Sequence, residues 1–487
     1  MINISNTNHW LQKQKEKFGE KTALTFNDTS ITYSDFLKRS HRIAEVLETK
    51  GIAPGNNIGI LISHAPEFVE TINALWLIGA VPVLLNSRSS IEDIEKQLAF
   101  VSARSLIADA SSLQKLPQLK FINVIKLDTI NEFAYTENKI NLYLFNSLNS
   151  ALILFTSGSA GKPKAVVHTF ESLYQSVLLT DSFSQLSSED KWLVSLPLYH
   201  IGGFMIFVRS LLTGSTLIFP DSVDYRSIAN AMIKYNPTHL SLVTTTQKQL
   251  LEDNVKPNTE LGTVFLGGGP IDTKLCSEAV YKGFPITKVY GSTETCSMVA
   301  ALSMEDFKNK PDSAGKPLGN SKIIISDENR KYISSNRSGE IVVGCKSIFK
   351  EYYGNSEETQ NKKRDGYFFT GDFGWIDENG YLYIESRRED IIITGGENVS
   401  AKEVVQYLIQ LPSVNDAYVF SEDDETWGQI ICAAVVLSST ITKNELREQL
   451  RNMIAPYKVP KKIYFVERIP RNEMGKVEKE KLEKLIN

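Results

Sequence analysis

The sequence predicts a multidomain α/β protein, and three changes of texture along its 487 residues carry that prediction. From residue 22 to about 310, short apolar runs (NIGILIS, ALILFT, KWLVSLP, THLSLVTT, TVFLGGG, TKVYGST) alternate with longer amphipathic stretches such as FLKRSHRIAEVLETKG, the pattern of α/β layers with largely parallel sheets. From about 313 the strand-like runs KIIIS, GEIVVG, GYFFTGD and GYLYIE stand close together, with the hairpin turn DENG at 377 to 380, and predict a small antiparallel unit. After SRREDIIITGGEN, helix-like VVQYLIQ and NELREQLRNMI alternate with DAYVF, IICAAVVL and KIYFV, enough for a separate α+β domain of roughly 100 residues. No internal repeat or low-complexity tract interrupts the series.

Composition narrows the function. With 42% hydrophobic residues the chain can bury large cores. Lys+Arg 53 against Asp+Glu 57 gives a formal charge of -4, so no global basic footprint suggests nucleic acid as a partner. Cys276, Cys296, Cys345 and Cys432 lie far apart without a C-x-x-C pair, which argues against a disulfide framework or zinc knuckle and for reduced thiols in a cytoplasmic protein. The N-terminus lacks an apolar signal region, and ALWLIGAVPVLL is too short for a bilayer and contains Pro82, so neither export nor membrane insertion is expected.

Residues 154 to 170 read LFTSGSAGKPKAVVHTF, a Gly-, Ser- and Lys-rich loop between two apolar runs. Glycine lets the main chain approach an anion closely, hydroxyls add donors and Lys adds charge, so a phosphate site competes here with an ordinary flexible turn. It is not a Walker loop, because only two residues separate Gly158 from Gly161 and Pro163 stands where a magnesium-binding hydroxyl belongs. Further on stand YGSTE at 290 to 294, TGD at 370 to 372, Arg387 opening RREDIIITGGEN, and PRNEMGK ending in Lys476.

These stretches, in this order and spacing, resemble the adenylate-forming superfamily that includes acyl-CoA and aryl-CoA ligases, over essentially the whole chain. The resemblance implies an N-terminal domain over 1–388, built of two α/β subdomains and a small antiparallel β subdomain, and a small mobile α+β C-terminal domain over 389–487. It also implies a reaction in which a carboxylate attacks the α-phosphorus of ATP, pyrophosphate leaves, and coenzyme A captures the acyl-adenylate. Such chemistry needs positioned anions and charge compensation rather than a protein nucleophile. The absence of a G-x-S-x-G elbow, of H-E-x-x-H and of metal-ligand spacing among the six histidines agrees with that.

Residue roles follow from the same resemblance. Thr156, Ser157, Gly158, Ser159, Gly161 and Lys164 match the phosphate-binding signature, with Ala160 departing from the usual Thr. Tyr290 matches the adenine-stacking aromatic, Thr293 the α-phosphate ligand, Glu294 the Mg2+ ligand, and Asp372 and Arg387 the ribose contacts. Lys476 is expected to reach the substrate carboxylate and α-phosphate during adenylation. Rotation about Glu389, where relatives commonly have Asp or Lys, would then present the loop of Gly395 and Gly396 on the coenzyme A side.

The acid is narrowed by local features. His200 in LPLYHIGG resembles the gate of the acyl pocket, with a satisfied core histidine as the competing reading. LGGGP at 266 to 270, TETCS at 293 to 297, SAGKPLG at 313 to 319 and ETWGQ at 425 to 429 are most similar to the 2-succinylbenzoate:CoA ligases of menaquinone biosynthesis. Gly267, Gly268 and Gly269 would leave room for a flat ring, with Ser297 on the same substrate side. Arg209 interrupts the apolar run FMIFVRSLL and needs a partner. It is either a snorkelling or internally paired Arg, or the cation that meets a second substrate carboxylate. Another aryl or medium-chain acid ligase, an adenylation domain loading a carrier protein, and a non-catalytic nucleotide sensor are the alternatives.

Overall fold

The computed structural model describes residues 9–114, 123–127, 143, 146–156, 164–269, 271, 273–327, 329–386, 391–470, 477 and 479–486. The chain divides into two compact units. The first comprises Met1–Ser87, Leu98–Phe155 and Ala165–Arg387, and the second Arg88–Gln97, Thr156–Lys164 and Arg388–Asn487.

Two large sheets organise the first unit. The nine-stranded one runs, in spatial order, Lys316–Pro317, Ser297–Leu302, Ile286–Ser292, Thr263–Leu266, His239–Leu242, Lys191–Leu193, Thr216–Ile218, Thr22–Phe26 and Thr29–Thr32. Its six inner strands, from Ile286–Ser292 to Thr22–Phe26, pair in parallel, and antiparallel strands close both edges. A seven-stranded sheet has the order Glu351–Tyr352, Lys164–Thr169, Ser150–Thr156, Val81–Leu84, Asn57–Leu61, Ser105–Ala108, Asn123–Lys126. Parallel strands buried on both faces need helices to cover them, which is the use of the amphipathic stretches between the apolar runs.

Helices Trp10–Phe18, Pro66–Leu77, Phe170–Ser184 and Ile201–Thr213 meet in one core, and helices Tyr225–Tyr235, Thr244–Glu252 and Thr273–Tyr281 in a second. Trp76 sits edge-on to Trp10 and Phe170 and stacks on Phe207, while its indole N–H donates to the Ala151 carbonyl at 2.7 Å. That cluster fixes helix Phe170–Ser184, capped by a Thr169/Ser172 box, and helix Ile201–Thr213, which ends on Gly214 at φ 77°. Both helices bear on the site.

The antiparallel unit forms a third sheet of Lys322–Ser326, Gly339–Gly344, Tyr367–Ile376, Lys363–Arg364 and Leu382–Ser386. The turn read from DENG is there: Asp377 Oδ1 accepts from the Asn379 and Tyr381 amides, and Gly380 takes φ 82°. The unit begins later than the sequence texture implies, since Lys316–Pro317 is an edge strand of the nine-stranded sheet.

In the second unit, Glu397–Ser400, Ile391–Thr394, Gly428–Leu437 and Val414–Asp424 form an antiparallel sheet that Lys462–Phe465 joins in parallel. Helices Ala401–Gln410 and Lys443–Arg451 bury Val404, Leu408, Leu446 and Leu450 in its core. All four cysteines are free. Among the described residues no helix is long and apolar enough to cross a membrane.

Candidate active site

The hairpin joining Ile286–Ser292 to Ser297–Leu302 carries Tyr290, Thr293, Glu294 and Ser297 of the residues singled out in the sequence. Its strands approach so closely at Gly291 that a Cβ there would lie 1.9 Å from the Ser297 carbonyl oxygen, so only glycine fits. Beyond it the chain turns through Thr293, Glu294, Thr295 and Cys296, with Cys296 at φ 58° and Ser297 at φ 86°. Positive φ at non-glycine residues costs energy, and the surroundings hold the turn in place.

Each carbonyl of the turn is tethered from outside it. Thr293 O meets His168 Nε2 at 2.8 Å, Glu294 O accepts from the Phe349 amide at 2.7 Å, Thr295 O from Ser347 Oγ at 3.0 Å, and Cys296 O from Ser176 Oγ. The Glu294 side chain is buried, and its Oε1 accepts from the Tyr352 hydroxyl at 2.9 Å. Its Oε2 accepts no hydrogen bond from the described residues, leaving a carboxylate oxygen of the kind a hard divalent cation takes. His168 is fully buried, and burial pushes its pKa down to about 4.

Tyr290, one strand position before Gly291, is 3% exposed and donates its hydroxyl to Asp372 Oδ2 at 2.9 Å. Asp372 comes from the antiparallel sheet, where the left-handed Gly371 (φ 77°) and a bond from the Asp372 amide to Thr370 Oγ1 set its position. Two residues named for one nucleoside thus share a hydrogen bond across 82 positions of sequence. Beside them, Gly267, Gly268 and Gly269 follow the strand Thr263–Leu266, and a Cβ on Gly267 would meet Val289 Cγ2 at 2.6 Å. Carboxyl ends of parallel strands are where open α/β sheets bind ligands.

Arg209 is neither a snorkelling nor a salt-bridged residue. It is 1% exposed, its Nε donates to Thr180 Oγ1 at 3.0 Å and one terminal nitrogen to Ser297 Oγ at 3.1 Å, with Cζ 5.7 Å above the Trp192 ring. Among the described residues no carboxylate lies within ion-pair distance of it. Burial draws its pKa down to about 10, still charged at neutral pH. Through Ser297 the guanidinium is tied to the hairpin that holds Thr293 and Glu294. His200 is half-buried at the N-cap of the Arg209 helix, its ring 4.7 Å from that of Tyr199.

In the second unit, Gly395 (φ 56°) and Gly396 (φ 83°) form a two-residue hairpin turn. The Gly395 amide donates to the Trp427 carbonyl at 3.0 Å, and a Cβ there would meet Trp427 Cε3 at 2.6 Å. Thr156 and Lys164 are half-buried strand ends. Ser157, Gly158, Ser159, Gly161, Arg387, Glu389 and Lys476 lie outside the described residues.

Sequence reasoning missed His168, Tyr352, Ser176 and Ser347, which hold the turn, and Thr180 and Trp192, which hold Arg209. His168 alone left a signal, as a polar residue inside the apolar strand AVVHT.

A parallel-stranded α/β body with a hydrogen-bonded tyrosine–aspartate pair beside a tethered Thr-Glu turn, accompanied by a small α+β unit, is the architecture of an adenylate-forming enzyme. The chain belongs to the AMP-binding enzyme family, which it matches over residues 11–353, with the AMP-binding enzyme C-terminal domain matched over 403–476. It is 32% identical over 469 residues to the 2-succinylbenzoate–CoA ligase of Bacillus subtilis (strain 168), covering 96% of both chains. Among solved structures, a double mutant of the o-succinylbenzoate CoA synthetase from Bacillus subtilis, bound to the product analogue OSB-NCoA, superposes with TM-score 0.92 at 31% identity, covering 98% of both chains. The same synthetase in complex with ATP and magnesium ion gives TM-score 0.76 at 31% identity, covering 97% of this chain and 99% of that one.

Proposed function

We propose that this chain is an ATP-dependent, AMP-forming acid:CoA ligase that converts 2-succinylbenzoate to 2-succinylbenzoyl-CoA for menaquinone biosynthesis. The observation that carries the choice of acid is Arg209, a buried guanidinium with hydroxyl partners and no counter-ion among the described residues. A substrate with two carboxylates has one more than adenylation consumes, and the planar fork of Arg suits the second. The relatives named for this activity support the reading.

In the proposed reaction Tyr290 stacks on adenine, Asp372 and Arg387 hold the ribose, and the loop from Thr156 to Lys164 holds the β- and γ-phosphates. Thr293 orients the α-phosphate, and Lys476 draws the attacking carboxylate oxygen onto phosphorus. The P–O bond to pyrophosphate breaks as the acyl–phosphate bond forms. The free oxygen of Glu294 suits Mg2+, which supplies charge neutralisation on the phosphates. The coenzyme A thiol then attacks the acyl carbonyl, its proton is lost, and AMP leaves.

The boundary at 388/389, the pivot at Glu389, the passage of thiol along Gly395 and Gly396, the gate at His200 and a cytoplasmic location complete the proposal. Mass-spectrometric product analysis tests it. With ATP, Mg2+, 2-succinylbenzoate and coenzyme A the account expects 2-succinylbenzoyl-CoA and AMP. Transfer to a carrier-protein phosphopantetheine in preference to free coenzyme A would assign the adenylation-domain alternative instead.

A further inference from the structure

We infer that His168 is a positioning residue for adenylation, its Nε2–H fixing the Thr293 carbonyl and with it the Thr293–Glu294 peptide. The inference rests on the proposed roles of Thr293 and Glu294. A carbonyl oxygen only accepts, so the ring proton must sit on Nε2, 2.8 Å from Thr293 O. On a neutral ring Nδ1 is then an acceptor, and it faces Ser172 Oγ at 3.1 Å, a hydroxyl that also donates to the Thr169 carbonyl at 2.9 Å. Both nitrogens of the fully buried imidazole have a partner, and the Thr293 carbonyl fixes the tautomer.

The strand gains nothing in packing from a histidine here, since its neighbours Val166 and Val167 are buried aliphatics. A buried polar ring among them is retained for its hydrogen bond. The remaining outside tethers reach residues 294 to 296, through Phe349, Ser347 and Ser176. His168 is the tether on Thr293 itself, whose carbonyl otherwise accepts the Cys296 amide within the turn at 3.1 Å. With Cys296 and Ser297 at positive φ, the turn relaxes toward ordinary backbone unless it is held. Partners that orient a metal's ligands matter by about 10- to 100-fold, and the same scale is expected for His168 acting on the Thr293–Glu294 peptide.

Two amides of different reach test the inference. In His168→Gln the side-chain nitrogen falls near the Nε2 position and keeps the bond to Thr293; in His168→Asn it falls near Nδ1 and cannot reach. ATP–pyrophosphate exchange should fall roughly 10- to 100-fold in the Asn variant and stay within about 3-fold of wild type in the Gln variant. Calorimetric titration of the unliganded protein should show weaker AMP binding by the Asn variant with adenosine binding unchanged, because only the phosphate meets the turn. Equal behaviour of the two amides, or parallel loss of AMP and adenosine affinity, would overturn it. Thr293→Val separates the premises: if Thr293→Val loses exchange while His168→Asn keeps it, the inference alone fails; if Thr293→Val keeps exchange, the assignment of the turn fails and takes the inference with it.

Discussion

Replacing Arg209 by Met should make the unliganded protein more stable and the enzyme worse. The guanidinium is 1% exposed with no acid in range among the described residues, and its pKa falls from 12.5 to about 10. At ~1.36 kcal/mol per pKa step, a drop of about 2.5 corresponds to on the order of 3 kcal/mol spent on keeping the charge buried. Methionine fills much of the same volume and removes that cost. It also removes donors from Thr180 Oγ1 and Ser297 Oγ, a loss of about 1 kcal/mol each. The net is a gain of ~1 kcal/mol, which for a chain of this length is a rise of about 1 °C in Tm at neutral pH. Losing a charge-assisted bond to the second carboxylate, about 1.5 to 3 kcal/mol, raises KM for 2-succinylbenzoate by about 10- to 150-fold, with KM for ATP unchanged. Calorimetry and steady-state kinetics read both quantities. A lower Tm with unchanged KM would mean that Arg209 is a structural residue and that the reasoning about its missing counter-ion is wrong.

Other outcomes follow from the same account. Lys476→Ala should slow adenylation by about 10²- to 10³-fold if, as proposed, its charge acts where negative charge builds on phosphorus, while thioester formation from supplied acyl-adenylate and coenzyme A proceeds; equal loss in both half-reactions would exclude a role confined to the first step. Glu389→Pro fixes φ near about -65°, so adenylate should still form and transfer to coenzyme A should stop; full turnover would remove Glu389 as the pivot. His9 caps helix Trp10–Phe18 by accepting the Leu11 amide, and burial beside His41 pushes its pKa down to about 3. Its folded value lies below the unfolded one, so its contribution is present above about pH 6.5 and is lost as pH falls toward 3. His9→Asn, which keeps a capping acceptor, should therefore be near-neutral at pH 7.5 and stabilising by about 2 kcal/mol at pH 5 in chemical denaturation; identical pH profiles would refute the assignment.

Features written locally were legible in the sequence. The DENG turn closes on its own aspartate and a left-handed glycine, and the paired glycines of GGEN form the tight hairpin that their freedom at positive φ allows. The parallel layers came from alternation, because strands covered by helices need that spacing. Contacts across long separations were not legible. Thr293 and His168 lie 125 residues apart, and nothing in TETCS marks Cys296 and Ser297, both non-glycine, as left-handed. The pairing of Glu351–Tyr352 with Lys164–Thr169, which brings Tyr352 to Glu294, likewise leaves no local trace in KEYYGN. Arg209 stood out by its apolar neighbours, yet the lack of an acid around it among the described residues is a fact of packing between helices and strands distant in sequence.

The central claim is that this chain activates a dicarboxylic aromatic acid as its adenylate. ATP–pyrophosphate exchange over a panel of carboxylic acids, with 2-succinylbenzoate set against its analogue lacking the ring carboxylate, benzoate and medium-chain fatty acids, tests it most directly. The account predicts exchange that depends on Mg2+ and is fastest with 2-succinylbenzoate, by at least about 10-fold over the analogue that Arg209 cannot grip. Equal or faster exchange with the monocarboxylates would contradict it.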